Sequence, residues 1–494
     1  MSATILLTVW AGRVTINILP DEVLLDIFLF GRVTDLGPLY RDDSAPYFGK
    51  RENVHQLRRH SWRWHRLAHV CRRWRSIVFA SPNALDLKLV CGPSTCVELT
   101  SIWPPFPVII SDLGGELMPD DYDFDAAIVH PSRVQEINFA HLSRLQFLRF
   151  TSATREPLPA LTHLRLTLTS GHLFKTALPD GFLGGSAPSL KYLWLRFIAF
   201  PTLPKFLLSA TDLVHLSVED TPHAKIISLE VFVTALTVLV NLRSLYIGCG
   251  LPLSCLVRGN RPSLQQTRTI LPALTCFKFM GSSECSEDLM ARIDAPLLDL
   301  IWITFYDRRV SDFPQLAQFM RRTTRLKVLD EVHVGLDTNS IEITSSRDAT
   351  LRSFLNISSG LNISCKPSAW QFSSLARLIT SSFPLTHMVD HLYLGPGHSS
   401  PQCLPNVEIA EWREIFHPFT AVKNVYIYKE FVKWIVLPLR ELILERLTGM
   451  LPALESLFLE ELPSSGPVQE AIEQLVTARQ LLGLPVAVSS WNGS

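Results

Sequence analysis

The sequence predicts an α/β repeat protein, in which a small N-terminal helical module precedes an irregular solenoid of parallel strands. Three observations carry this reading. Two apolar or amphipathic helical segments lie within residues 17–90. From Val134 to Leu459, an apolar triplet at positions i, i+3 and i+5 recurs at intervals of roughly one strand plus one helix. Finally, Gly466-Pro467 opens a terminal helical stretch, 467–483, with an apolar stripe of Val468, Ile472, Leu475 and Val476 suited to capping an array. The resulting division is a tail over 1–16, a helical module over 17–90 with an insertion at 36–60, a connector over 91–130, and the array over 131–494.

The first helical segment is Leu19-Pro20-Asp21-Glu22-Val23-Leu24-Leu25-Asp26-Ile27-Phe28. Pro20 suits a first helical position, Asp21 and Glu22 complement the positive end of the helix dipole, and Gly31 offers a stop. Val23, Leu24, Leu25, Ile27, Phe28, Leu29 and Phe30 occupy every side of the cylinder. A helix apolar all round must be covered all round. It is either buried in a large domain or a docking helix whose second face is covered by a partner protein.

The second segment runs from Ser61, an N-cap candidate, to Ala80, with Pro82 ending it. Trp64, Leu67, Val70, Cys71, Trp74, Ile77 and Val78 fall three and four apart in one stripe, and Arg63, Arg66, Arg72, Arg73 and Arg75 lie on the other face. With Val70-Cys71-Arg72-Arg73-Trp74-Arg75 following the Leu-Pro-Asp-Glu-Val-Leu-Leu-Asp-Ile-Phe run, the N-terminal region resembles an F-box. Trp62-Arg63-Trp64-His65-Arg66-Leu67, Phe79-Ala80-Ser81-Pro82 and Leu85-Asp86-Leu87 make it most similar to the F-box-like proteins of mushroom-forming (basidiomycete) fungi. The polar stretch Leu36–His60 departs from the family pattern, where a short turn and helix are usual. The resemblance implies docking onto the Skp-type adaptor of an SCF ubiquitin ligase, through Leu19, Pro20, Leu24, Ile27, Phe28, Val70 and Trp74. Each large apolar side chain so buried is worth about 1.5–3 kcal/mol before the costs of association.

Composition predicts a cytoplasmic or nuclear protein. Apolar residues make up 47% of the 494, enough for a core. The 46 basic and 46 acidic side chains balance, which argues against a nucleic-acid binder. The basic cluster from Lys50 to Arg75 reads as a solvated helix face or as an attraction for an acidic adaptor surface. Nine scattered cysteines without a Cys-x-x-Cys pair argue against a disulfide scaffold or zinc knuckle. No membrane span is expected: the best run, Val231–Val240, is too short. Residues Ile5–Gly12 lack the basic flank of a signal peptide, and the sequons at Asn356, Asn362 and Asn492 add little.

In the connector, Leu85–Leu89 alternates like a strand, Pro107-Val108-Ile109-Ile110 is a second short apolar run, and Ser111–Asp125 reads as an exposed acidic loop. The array opens with Val134-Ile137-Phe139 and Leu145-Leu148-Phe150. Triplets beginning at Leu161, Leu190, Leu213, Leu242, Leu274, Leu298 and Leu329 follow, separated by 29, 23, 29, 32, 24 and 31 residues. Those at Val389, Val422 and Leu454 complete it, and the long gap before Val389 predicts one degenerate unit. The last three positions of each triplet alternate apolar, polar, apolar, as in a strand with one buried face. Helical spacing between strands, as in Ile227–Leu239, makes the array resemble a leucine-rich repeat of irregular length.

Enzyme chemistry is not expected. Gly184-Gly185 and Gly248-Cys249-Gly250 lack a phosphate-loop pattern, and no Gly-x-Ser-x-Gly elbow occurs. His65 and His69 stand one helical turn apart without a third zinc ligand. Asp120, Asp121, Asp123 and Asp125 lack the glycine and terminal glutamate of a calcium loop. No cofactor or metal is expected. The sequence therefore predicts a substrate-recognition subunit that brings an unknown protein target to the ligase, with Lys191, Trp194, His215, Arg243 and Lys278 as strand-borne contacts. The alternative is an adaptor-independent interaction scaffold whose F-box-like helices only cap the solenoid.

Overall fold

The structure is a computed structural model that describes residues 16–33, 63–82, 84–85, 87–92, 106–112, 122–169, 176–220, 228–248, 268–305, 313–323, 331–336, 341–346, 360–365, 389–396, 409–444, 451–462 and 465–492. The 1–15 tail, the 36–60 insertion, Asp120, Asp121, Leu329 and Asn356 lie outside these residues. The chain forms two compact units: 1–154 with 158–163, and 155–157 with 164–494.

The first unit holds α1 (Asp21–Val33), α2 (Arg63–Val70), α3 (Arg72–Ala80), β1 (Leu89–Cys91), β2 (Val108–Ser111), α4 (Phe124–Ala127), β3 (Val134–Leu142) and α5 (Arg144–Ala153). The three strands pair in parallel, in the order β1-β2-β3. The helical module and these strands belong to one unit. An edge-on ring contact at 5.6 Å between Phe79 on α3 and Phe106, just before β2, links them. Phe124, Phe139 and Phe150 meet edge-on at 5.5–5.7 Å and form the core between α4, β3 and α5.

Three expectations change in this unit. The single helix from Ser61 to Ala80 is two helices. They break at Cys71, which is fully extended (φ −158°, ψ 171°) and whose Sγ accepts from the Trp74 N–H at 3.5 Å. The Leu145-Leu148-Phe150 triplet lies on α5, with Leu145 and Leu148 exposed. Ser143 and Gln146 decide this by forming a reciprocal capping box, a signal present as Ser-x-x-Gln in the sequence. In the acidic stretch, Asp123 caps α4 by accepting from the Ala126 N–H at 3.0 Å, and Tyr122 and Phe124 are buried.

The second unit contains all but the first residue of β4 (His163–Leu168). It continues through β5 (Tyr192–Arg196), α6 (Leu203–Leu207), β6 (His215–Glu219), α7 (Leu229–Leu236), β7 (Ser244–Gly248), β8 (Thr269–Ile270), β9 (Cys276–Gly281), α8 (Ser283–Arg292), β10 (Ile293–Asp294) and β11 (Leu300–Phe305). Then come α9 (Pro314–Arg322), β12 (Glu331–Leu336), β13 (Ile341–Ser346), β14 (Gly360–Cys365), β15 (His391–Pro396), α10 (Ile409–Phe416), β16 (Asn424–Ile427), α11 (Val432–Leu444), β17 (Ser456–Leu459), α12 (Pro467–Leu481) and β18 (Ala487–Ser490). Its sheet runs β4-β5-β6-β7-β9-β11-β14-β13-β12-β15-β16-β17-β18, with β8 and β10 forming a separate pair.

Leu193, Leu195, Leu216, Leu245, Phe277, Ile301 and Ile303 are buried on one sheet face. Helices cover this face, as the Phe277–Phe319 contact between β9 and α9 shows. The expected all-parallel array is interrupted once. β12, β13 and β14 form a meander in which β13 is antiparallel to both neighbours, and β14 rather than β12 pairs with β11. The described part of the long gap before Val389 is this meander, and the remainder of the gap lies outside the described residues. Nor is the 467–483 helix the last element: α12 leads into β18, which adds in parallel to β17. Buried Arg479 on α12 clasps that end by donating to the carbonyls of Leu484, Leu451 and Leu454 at 3.2, 3.2 and 2.9 Å. Cys285 is disulfide-bonded, whereas Cys71 and Cys276 are free thiols.

Candidate interaction surfaces

In the first unit, α1 divides its apolar side chains between two environments. Leu24 (0% exposed) and Phe28 (5%) point inward, where Phe28 meets Trp74 at 4.8 Å. Val23, Ile27 (43%) and Phe30 (72%) point outward, three and four residues apart on one stripe, beside exposed Pro20. Arg73 fixes the start of α1: its guanidinium donates to Asp21 Oδ1 through Nε at 2.9 Å and to the Leu19 carbonyl at 2.6 Å. That pair is exposed, so it orients the helix more than it stabilises it.

Of the residues expected at an adaptor interface, Leu24, Phe28 and half-buried Trp74 are packed together, and Leu19 is half-buried. Pro20, Ile27 and Val70 are exposed. Val70 is turned outward because the break at Cys71 takes it off the stripe that contains Trp74. Val23 and Phe30 join the outward set, and the all-round apolarity of the segment was their only signal in the sequence.

In the second unit, the sheet face away from the helices carries the middle residue of each Leu-x-Leu-like triplet. Strand register aligns these into one row: Trp194, Ser217, Tyr246, Lys278, Trp302, Asn362, Thr344, His333, Tyr393, Tyr426, Phe458 and Ser489. The two ends of the row differ in chemistry.

Toward β5, cations lie on rings. Arg165 sits 3.9 Å from the Trp194 ring centre and Lys278 Nζ 4.6 Å from that of Trp302. Burial lowers the Lys278 pKa. Beside this row, Ser217 Oγ donates to Glu219 Oε1 at 2.9 Å, and Arg196 Nε stands 3.5 Å from Glu219 Oε2 and 3.3 Å from Asp220 Oδ2. Desolvation outweighs Ser217, Arg196 and Arg165, which favour the carboxylate, and pushes the Glu219 carboxyl up to about 7.

Toward β17, His333, Tyr393, Tyr426 and Phe458 stack nearly parallel at successive centroid distances of 4.2, 4.4 and 4.6 Å. Trp491, after β18, stands edge-on to Tyr393, Tyr426 and Tyr428. Gly395 makes room for Tyr428, because a Cβ there would overlap that ring.

The expected target contacts divide in the same way. Trp194 and Lys278 are in the row, although Trp194 is 4% exposed and covered by Arg165. His215 occupies the neighbouring row between Tyr192 and Ser244. Lys191 and Arg243 are exposed at strand entrances, where their carbonyls start the ladders of the following strands. The four-ring stack and Trp491 were not singled out from the sequence. Their signal is the central letter of VHV, LYL, VYI and LFL.

Among the described residues, no group of three or more His, Cys, Asp or Glu could hold a metal ion, and no helix is long and apolar enough to cross a membrane. No protein-family model and no curated protein matches this chain. Among solved structures, it is similar to the leucine-rich repeat-containing protein LegL7 from Legionella pneumophila. The identity is 14% and the TM-score 0.29, over 72% of this chain and 94% of that one.

Proposed function

We propose that this chain is the substrate-recognition subunit of an SCF-type cullin-RING ubiquitin ligase, docking the Skp-type adaptor through the F-box-like helices and a target protein through the open sheet face. The observation that carries this reading is the divided burial of α1. Its inner side is satisfied by Trp74, while Val23, Ile27 and Phe30 remain outward as an apolar stripe. A helix of this kind gains most from laying its free side on a partner groove. The chain would form no bond itself; it would raise the effective concentration of target lysines near the charged enzyme.

The test is co-purification of the Skp-type adaptor with the full chain and with an Ile27→Asp, Phe30→Asp variant. Both positions are exposed, so the variant should keep the wild-type melting curve and lose the adaptor. Failure of the intact chain to recover adaptor, or recovery undiminished in the variant, overturns the proposal.

The Phe79–Phe106 contact favours a second reading, in which the helices close off the strands of the first unit and bind no adaptor. On that reading, Phe79→Ala lowers the melting temperature, and the intact chain recovers no adaptor.

A further inference from the structure

The aromatic stack of the second unit ends at Phe458, and its end is unfinished. One face of Phe458 rests on Tyr426, 4.6 Å away and within 8° of parallel. On the other side, register places Ser489 of β18, the last strand of the sheet, where Ala487, Ser489 and Ser490 are exposed. Among the described residues, no second ring and no cation stacks on that outer face. Glu460 follows the last residue of β17, two residues from Phe458 in the chain. Its Oε2 accepts the Lys429 backbone N–H at 2.9 Å, and no Lys or Arg among the described residues pairs with it.

The charged residues of β17, β18 and their flanks are acidic, while the cations of the neighbouring strand segment are Lys429 and Lys423, the latter paired with Asp390 at 3.5 Å. Residues 451–466 and 487–494 contain Glu455, Glu460 and Glu461 and neither Lys nor Arg, in a chain whose net charge is zero. An open π face beside a carboxylate selects a planar cation. A guanidinium continues the stack and donates to the carboxylate with the same planar group, whereas an ammonium lies over a ring only as a compact, strongly hydrated point charge. A neutral aromatic side chain would extend the stack but leave Glu460 unused.

We propose that the end of the sheet at β17 and β18 binds an arginine of an extended basic segment in a partner protein. The guanidinium lies on the outer face of Phe458 and donates to Glu460. This names the chemistry of the target and rests on reading the open sheet face as the target surface; it is independent of adaptor docking.

The test uses the full chain without adaptor, and three fluorescein-labelled twelve-residue Gly/Ser peptides carrying three arginines, three lysines or three citrullines. Fluorescence anisotropy should give about tenfold tighter binding of the arginine peptide than of the lysine peptide, and no binding of the citrulline peptide. Phe458→Leu should erase the arginine preference, and Glu460→Gln should weaken the arginine peptide about tenfold, with both variants retaining the wild-type circular dichroism spectrum. Equal binding of the arginine and lysine peptides, no binding of either, or an arginine preference that survives Phe458→Leu overturns the proposal. Concentration-dependent self-association that Phe458→Leu abolishes, without arginine-peptide binding, would assign the surface to a second copy of the chain instead. Because the adaptor is absent, these results leave the adaptor reading to its own co-purification test.

Discussion

On α1 the exposed side chains are what remains after one side of a helix has been buried. Val23, Ile27 and Phe30 are exposed, at a spacing set by the helix. On β12, β15, β16 and β17 the outward side chains are held by strand register, which sets His333, Tyr393, Tyr426 and Phe458 at nearly one ring spacing. The helix offers apolar area with little directional chemistry, suited to a matching groove. The sheet offers oriented ring faces and edges among charged groups, suited to discrimination between ligands. Surface exposure alone would treat the two alike, but the construction beneath each one separates them.

The largest effect that can break this comparison lies inside α1. Leu24→Asp places a carboxylate where the side chain is fully buried against the helical module. A loss of more than about 4 kcal/mol in urea unfolding of the first unit is expected, against within about 0.5 kcal/mol for Ile27→Asp. Equal costs at the two positions would mean that α1 has no inner and outer side.

A second test is pH-dependent and lies on the sheet. Desolvation raises the Glu219 carboxyl from 4.5 to about 7, so the folded state binds its proton more tightly than the unfolded state does. The stability this contributes is complete below about pH 4.5 and is lost as pH rises through about 7. Chemical denaturation at pH 5 and pH 8 should therefore show a decline on the order of 3 kcal/mol attributable to this group. Glu219→Gln should remove the decline. A wild-type profile unchanged by the substitution would show that Arg196 and Ser217 fully compensate the burial.

The smallest expected effect concerns the ring cluster. In Gly395→Ala the new methyl overlaps Tyr428 and must push the ring aside. A cost of about 1–2 kcal/mol and a shift in Trp491 fluorescence are expected, since Trp491 stands 5.1 Å from Tyr428. An unchanged emission spectrum would mean that Tyr428 does not hold Trp491 in place.

Much of the array was legible from one pattern. Alternation in Leu190-Leu193-Leu195 and its relatives identified β5, β6, β7, β9 and β11, because a strand with one buried face must alternate. The same pattern misled at Leu145-Leu148-Phe150, where the Ser143–Gln146 capping box made a helix. The break at Cys71 was equally hidden, since an apolar stripe runs through it in the sequence. The candidate surfaces were legible only as letters. That Trp194 is covered by Arg165, and that Tyr393 stacks on Tyr426, depends on partners 29 and 33 positions distant in the chain.

The sequence by itself determined which residues face a core and how often a strand recurs, because both follow from local periodicity and burial. Tertiary structure alone decided that β14 rather than β12 pairs with β11, that α12 is followed by one more strand, and that four rings meet in a stack ending at Phe458. These are matters of strand order and register between segments far apart in the chain. Local side-chain preference carries no information about which distant backbone will supply the matching hydrogen bonds.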